Sequence, residues 1–233
     1  MAAPTTFTVP VSLTHLSLTV HDYLTTHPHL DNLVSGCLVF HNHHLLIVQR
    51  AKEERSYANL WEVPGGSCDD ADETILHGAA RELLEEAGLT VRRFIAAVGE
   101  GVGFETGEGV RRRKWWKWSF IVEVVESEEV MGDDKNVDGR LNSSRSSKDV
   151  PARIFGLCTE DKGPLLKAAG YPKIKLDPIE HQAYMWVTEE DVARNLHMDG
   201  FSFVSISQKN TMLEGFRMMK AGVEPADSET IVA

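Results

Sequence analysis

Apolar residues along the chain form runs typical of buried strands, separated by stretches with helical spacing. The runs Leu33–Phe40 and Leu45–Arg50 flank the polar segment His41–His44, which has the character of a turn. Two apolar runs joined by a short polar turn predict a β-hairpin. Aromatic and β-branched residues predict further strands, at Trp61–Pro64, Val91–Val102, Arg111–Val125 and the segment that follows Glu180.

Helical spacing is clearest after the pair Gly65-Gly66. Apolar residues recur there at intervals of three and four, at Leu76, Ala79, Ala80, Leu83 and Ala87. Asp72 is placed to cap the start of this helix, and Gly88 to end it in a left-handed conformation. Other helices are predicted at Leu16–Thr26, at Gly163–Gly170, after the capping residue Thr188, and within Val204–Lys220.

The length of 233 residues and the ordinary globular composition fit one domain with additions, or at most two small domains. We assign residues 1–30 to an N-terminal extension with a short helix, 31–221 to the domain and 222–233 to a tail. A polar run at 127–150 contains few apolar residues and predicts a disordered insertion within the domain. The segment Ala152–Leu157 is expected to dock on the domain either as a strand or as an irregular segment.

Three glutamates converge on one face of the helix that follows Gly66. Positions i, i+3 and i+4 of a helix lie on the same side, so Glu82, Glu85 and Glu86 are neighbours. Like charges in this arrangement destabilise an isolated helix. Mg²⁺ and Mn²⁺ prefer several oxygen ligands, so the arrangement predicts a site for a divalent cation.

Charge and cysteine content narrow the class of protein. The net charge of −11 argues against broad electrostatic binding to a nucleic acid polymer or an anionic membrane, but not against a small anionic substrate. The three cysteines include no CxxC pair, which favours a reducing compartment over a disulfide framework or a zinc cluster. Without a secretory signal or a long apolar run, we expect a cytoplasmic or nuclear location and no membrane span.

Basic residues with interleaved tryptophans begin the strand Arg111–Val125. This RRRKWWKW segment suits either a phosphate-binding strand with an aromatic platform for a base, or an edge strand whose tryptophans pack on the core. On the first reading, Arg113 and Trp115 bind substrate. Arg50, in the polar connector after the hairpin, is a further candidate for a phosphate contact.

The stretch from Gly66 to Leu89 resembles the signature of the Nudix hydrolases, G-x5-E-x7-R-E-U-x-E-E-x-G-U, where U is a bulky aliphatic residue. The segment from Glu73 through Arg81-Glu82 to Gly88-Leu89 matches it fully. Six residues rather than five separate Gly66 from Glu73. Either Asp72 takes the place of the family's glutamate, or the loop bulges by one residue.

The resemblance implies a Nudix-type α/β/α sandwich with a mixed β-sheet. It also implies hydrolysis of a phosphoanhydride bond in a nucleoside diphosphate linked to another group, with Mg²⁺ or Mn²⁺ as cofactor. By similarity, the metal ligands are the Gly65 carbonyl, Glu82, Glu85 and Glu86; Glu82 is also the candidate base, Arg81 holds the carboxylates by ion pairing, and Glu180 is a candidate extra acid.

The identity of the substrate is left open at this point. A dinucleoside polyphosphate, ADP-ribose or another nucleotide sugar, and a diphosphoinositol polyphosphate all suit the predicted site. A catalytically inactive ligand sensor or scaffold with the same fold is the alternative from another class. Nothing in the sequence predicts the oligomeric state.

Overall fold

A computed structural model of the protein describes residues 6–125, 154–157, 170–195, 201–223 and 229–232. The predicted insertion at 127–150 and the predicted helix at 163–170, except its last residue, lie outside the described residues. Within the described ranges, no helix is long and apolar enough to cross a membrane.

The described strands form one mixed sheet. They are β1 (Phe7–Pro10), β2 (Asn32–His41), β3 (His44–Arg50), β4 (Trp61–Glu62), β5 (Val91–Ala97), β6 (Val102–Thr106), β7 (Arg113–Val124), β8 (Ile154–Leu157), β9 (His181–Val187) and β10 (Glu229–Val232). Their order is β10-β1-β5-β7-β2-β3-β9-β8, with β4 paired to β3 and β6 paired to β7. The β1–β5 and β2–β7 pairs are parallel.

The described helices begin at hydroxyl caps. They are α1 (Val20–Thr26), α2 (Ile75–Ala87), α3 (Glu189–Ala193) and α4 (Ile206–Lys220), with caps Thr19, Thr74, Thr188 and Ser205. The prediction that Asp72 caps α2 is wrong, because the hydroxyl of Thr74 accepts the backbone N–H of His77. The prediction for Gly88 is confirmed: it ends α2 at a φ of 69°.

Helices cover both faces of the sheet, as in the α/β/α sandwich that the sequence predicts. Successive side chains of a strand point to opposite faces. Cys37 and Val39 of β2 therefore pack with α1 and α2, whereas Leu38 between them packs with Met212 and Phe216 of α4. The result is two buried apolar layers separated by the sheet.

Strand positions confirm the predicted hairpin and correct three other expectations. In the hairpin, Phe40 of β2 pairs with Leu45 of β3. The strand β7 is central, since it lies between β5 and β2, and it is not an edge strand. The N-terminal extension carries β1 and a 3-10 turn at Val11–Leu16 before α1, and the predicted tail contains β10, which pairs with β1.

Candidate active site

The loop from Pro64 to Cys68 runs beside β2. Three backbone hydrogen bonds hold it there. The N–H groups of Cys37 and Ser35 donate to the carbonyls of Pro64 and Gly66, each at 2.9 Å, and the Cys68 N–H donates to the Leu33 carbonyl at 3.1 Å. Gly65 has a φ of 148°, and a Cβ there would overlap the Ser35 carbonyl oxygen and the Gly36 backbone. Only glycine lets the chain approach β2 this closely.

The helix α2 presents two glutamates to the double glycine. The Glu86 carboxylate accepts the Gly65 backbone N–H at 2.6 Å. The Glu82 carboxylate lies against Gly66, where an added Cβ would overlap it. The acid-rich face of α2 is thus in direct contact with the glycine loop. Glu86 is buried there and Glu82 is largely buried.

Arg81 holds the surrounding carboxylates in position. Its guanidinium donates to Asp72 through two nitrogens, at 2.9 and 3.1 Å. It also donates to Glu82 and Glu85, each at 2.9 Å, and to the Ser67 carbonyl at 3.0 Å. Hydrogen bonding to Asp72, opposed by burial and reinforced by Glu82, raises the pKa of Arg81, so its charge is permanent.

The two adjacent acids Asp72 and Glu73 have different partners. Asp72 is buried and makes the bidentate contact with Arg81, while its carboxylate also accepts the Asp69 N–H at 2.8 Å. The side chain of Glu73 is 70% exposed and lies 3.5 Å from His77. Asp72 therefore does the positioning in this structure, whichever residue aligns with the family's glutamate.

A second group of possible metal ligands meets Glu86 from the start of β9. Ligand atoms of Glu86, Glu180 and His181 all lie within 4.8 Å of one another. Glu180 is exposed, whereas Glu86 and His181 are buried. Glu85 is directed to Arg81 on the exposed side, so the four predicted metal ligands do not form one equivalent set. Their role in metal binding stays a prediction.

Glu62 completes the buried part of the site. Its carboxylate accepts from Arg50 at 2.8 Å and lies 3.8 Å from the Nε2 atom of His181. Burial would raise the pKa of Glu62, but His181, Lys117 and Arg50 together outweigh it and lower the pKa. Glu62 therefore carries its negative charge within the core of the site.

Like charges and burial disfavour the ionised form of the neighbouring glutamates. Burial, followed by the charge of Glu62, raises the pKa of Glu86 well above its usual value. Burial also raises the pKa of Glu82, although the charge of Arg81 opposes it. A divalent cation would relieve this repulsion, and carboxylate oxygens are the ligands that Mg²⁺ and Mn²⁺ take. The residues present fit such a cation.

A basic and aromatic face of β7 leads to this cluster. Arg113, Trp115 and Lys117 alternate along the strand, so they share one face and are spaced by about 7 Å per pair of residues. Lys117 crosses the space left by Gly36, where an added Cβ would lie 3.1 Å from the lysine Cε. Its charge acts on Glu62. No ion pair joins Lys117 to a carboxylate among the described residues.

Trp115 also borders a cavity of about 600 Å³ between α1, the start of β2 and the loop after Gly66. Asp31, Asp69 and Asp70 are in its wall. Trp115 stacks on Phe104 with 5.9 Å between ring centroids and donates to the Thr106 hydroxyl at 2.8 Å. Its ring is thus fixed in place by two contacts within the protein.

The other tryptophans of β7 serve the core. Trp118 is buried and donates to the hydroxyl of Tyr23 at 3.2 Å, and Trp116 packs against the apolar layer that holds α2. Of the two readings of this strand, core packing therefore describes Trp116 and Trp118, while Trp115 and Lys117 lie on the other face.

Arg50 is engaged within the protein. Its three guanidinium nitrogens donate to Glu54, Glu62 and the Ser56 carbonyl, at 2.7, 2.8 and 2.9 Å. A substrate contact by Arg50 would have to replace one of these bonds. Arg113 is exposed and donates to the neighbouring Arg112 carbonyl at 3.3 Å. Substrate binding by Arg50, Arg113 and Trp115 stays a prediction.

Sequence reasoning did not assign a role to Glu62, Lys117 or His181. Each had a signal. Glu62 is a charged residue within the short strand before the double glycine. Lys117 lies two positions after Trp115 and therefore on the same face of the strand, and His181 adjoins the acid Glu180. What the sequence could not show is that β3 brings the strands of Glu62 and His181 together, by pairing with both β4 and β9.

Residues 32–142 match the family model described as the NUDIX domain. These residues therefore carry the sequence of a Nudix domain. A segment of 50 residues is 46% identical to the m7GpppN-mRNA hydrolase NUDT17 of Danio rerio, over 22% of this chain and 16% of that protein. A segment of 63 residues is 33% identical to the 8-oxo-dGTP diphosphatase of Buchnera aphidicola subsp. Schizaphis graminum (strain Sg), over 27% of this chain and 46% of that protein.

The matched part spans less than half the length of these curated relatives. Among solved structures, the crystal structure of the MutT protein from Methanosarcina mazei Go1 is similar, with 21% identity and a TM-score of 0.47. The similarity covers 81% of this chain and 94% of that chain.

Proposed function

We propose that the chain hydrolyses a phosphoanhydride bond in a nucleoside diphosphate linked to another group, with Mg²⁺ or Mn²⁺ as cofactor. The observation that carries this proposal is the convergence of Glu86, Glu180 and His181 within 4.8 Å, beside the glycine loop that Glu82 contacts. A bound divalent cation supplies charge neutralisation of the diphosphate and a water of lowered pKa.

The residues of the chain have separate roles in this reaction. Water attacks a phosphorus atom, the anhydride P–O bond breaks, and the departing phosphate takes the bonding electron pair. Glu82 accepts the proton of the attacking water, helped by a pKa that burial raises. Arg81 touches no substrate and positions Glu82 and Glu85 by ion pairing. Glu86 and Glu180 would hold the cation.

Lys117 supplies the positive charge for a substrate phosphate. Arg50 and Arg81 spend their donors on carboxylates of the protein, whereas Lys117 faces the site without an ion pair among the described residues. An ammonium group placed this way binds phosphate oxygens by charge-assisted hydrogen bonds. The exposed Arg113, on the same face of β7, extends the positive charge outward.

Trp115 and the adjoining cavity are suited to the part of the substrate that carries no phosphate. The carboxylates in the cavity wall repel phosphate but accept hydrogen bonds from amino groups of a base, and an aromatic ring stacks on any base. A positively charged base gains further from both contacts. The name of the zebrafish relative includes the cap m7GpppN, whose 7-methylguanine is such a base.

A substrate panel with Mg²⁺ and with Mn²⁺ tests the proposal. The panel contains a dinucleoside tetraphosphate, ADP-ribose, 8-oxo-dGTP, a cap dinucleotide and a diphosphoinositol polyphosphate, and product release is followed by anion-exchange chromatography. We expect metal-dependent cleavage of at least one nucleotide. Cleavage of the diphosphoinositol compound alone would move the substrate class to inositol phosphates. Ligand binding without cleavage of any compound would contradict the proposal and indicate a sensor or scaffold.

A further inference from the structure

His181 has an unusual environment for a buried histidine. It is the first residue of β9 and is 0% exposed. Neither ring nitrogen has a hydrogen-bond partner among the described residues. The Glu62 carboxylate lies 3.8 Å from Nε2, which is longer than a hydrogen bond. Buried polar atoms normally have a partner, so this imidazole lacks one that it would be expected to have.

The position of the ring indicates which partner is missing. Ligand atoms of His181, Glu86 and Glu180 lie within 4.8 Å of one another. Two ligands on opposite sides of a small divalent cation are roughly 4.2 Å apart, given bond lengths of about 2.1 Å. A cation can therefore be reached by all three side chains after small rotations.

We propose that His181 supplies a nitrogen ligand to the cation held by Glu86 and Glu180, so that the site binds Mn²⁺ more tightly than Mg²⁺. This inference rests on the proposed function and names the metal for it. Mg²⁺ takes oxygen ligands and keeps much of its water, whereas imidazole nitrogen favours transition ions. A site made only of Gly65, Glu82, Glu85 and Glu86 would offer oxygen alone.

Glu62 and Arg50 complete the arrangement around the histidine. A metal-bound histidine usually donates its other ring N–H to a carboxylate, which fixes the tautomer and orients the ring. The Glu62 carboxylate lies 3.8 Å from Nε2, so Nδ1 is the nitrogen that would bind the cation, and Arg50 holds Glu62 at 2.8 Å. When the metal binds, a small rotation of His181 closes the 3.8 Å gap to Glu62 into a hydrogen bond.

Pulsed electron paramagnetic resonance on the Mn²⁺-loaded full-length protein tests the nitrogen ligand directly. The wild-type protein should show coupling of the manganese electron spin to a directly bound ¹⁴N nucleus. His181→Gln should abolish that coupling, and His29→Gln, at an exposed histidine, should leave it intact. Bound Mn²⁺ without ¹⁴N coupling in the wild type would overturn the inference, and that result needs no variant to fold.

Competition between the two ions tests the selectivity. Mg²⁺ is titrated against bound Mn²⁺ in the wild type and in His181→Gln, with circular dichroism as the check on folding. We expect the preference for Mn²⁺ to fall by about 10–100-fold in the variant. An unchanged preference in a folded variant would refute the nitrogen ligand. Mg²⁺-dependent hydrolysis without ¹⁴N coupling would leave the proposed function standing, whereas failure to bind either ion would overturn both.

Discussion

At the scale of single residues, Asp72 and Glu73 are neighbours in the chain but have different roles. Both are acids near the start of α2, but only Asp72 is buried and bidentate to Arg81. Arg81 in turn reaches Glu82 and Glu85. The carboxylate of Asp72 therefore fixes the orientation of the proposed base through one intermediate side chain.

Asp72→Asn should lower kcat/KM by about 10–100-fold, the range for residues that orient metal ligands. The amide keeps the shape but loses the charge that holds Arg81. Glu73→Gln is the matched control, because this exposed side chain contacts only His77 among the charged groups described. Steady-state kinetics on the substrate found in the panel gives kcat/KM for both variants. Equal effects of the two substitutions would show that the contact with Arg81 does not matter.

Glu86 links the site to the stability of the fold. Burial and the charge of Glu62 raise the pKa of Glu86 above its value in the unfolded chain. Between those two pKa values the folded state binds more protons than the unfolded state, so stability falls as the pH rises through that interval. The charged form is the destabilised one, and it prevails above the folded pKa.

Glu86→Gln should raise the Tm of the metal-free protein at neutral pH and weaken its dependence on pH. Glutamine can still accept the Gly65 N–H through its amide oxygen, but it carries no buried charge. For a chain of this size each kcal/mol shifts the Tm by roughly 2–4 °C. The measurement is thermal unfolding in a metal chelator from acid to neutral pH. A lower Tm than wild type at neutral pH would contradict this account.

At the scale of elements, the loop between β4 and α2 is determined by its glycines. Gly65 has a φ of 148° and no room for a Cβ against the backbone of Ser35 and Gly36. Gly99 also has a positive φ, 68°, but nothing lies within 4 Å of a Cβ added there. Comparing alanine substitutions at these two positions therefore distinguishes the cost of a left-handed backbone from the cost of steric overlap with β2.

Gly65→Ala should lower the free energy of unfolding by about 3 kcal/mol or more and abolish activity, because β2 cannot move away. Gly99→Ala should cost about 1–2 kcal/mol, the strain of a left-handed L-residue, with activity retained. Urea unfolding of the two variants gives both values. Similar losses in the two would mean that the close approach of the loop to β2 contributes little.

At the scale of the whole molecule, the sheet joins the two ends of the proposed substrate site. The face of β7 that carries Arg113, Trp115 and Lys117 runs from solvent to Glu62, because β2 pairs in parallel with β7 and places Gly36 beside Lys117. Phosphate at the lysine and a base at the tryptophan would then be separated by one pair of strand residues, about 7 Å.

Lys117→Met should raise KM by about 10–100-fold, the effect of losing a charge-assisted hydrogen bond. Lys114→Met is the control, since Lys114 is exposed and its position in β7 places it on the opposite face. Steady-state kinetics gives KM and kcat for both. If Lys114→Met raises KM as much as Lys117→Met, only the general positive charge of the strand matters.

The sequence predicts the local features of this protein well, because they depend on neighbouring residues. Helical spacing and Gly88 define α2, and the separation of Glu82, Glu85 and Glu86 sets their common side. It does not predict that β7 is central or that Glu62 and His181 meet, since strand order depends on contacts between distant segments. Asp72 was assigned to the wrong hydrogen bond because two capping residues lie two positions apart, Asp72 and Thr74.

The most direct test of the central claim compares hydrolysis by the wild type and by Glu86→Gln in the presence of Mg²⁺ or Mn²⁺. Glu100→Gln, at an exposed acid in the turn after β5, is the control for an unrelated loss of charge. We predict metal-dependent product release by the wild type and the control, and a loss of at least about 100-fold in a folded Glu86→Gln protein. Wild-type rates in Glu86→Gln would contradict the assignment of the metal site.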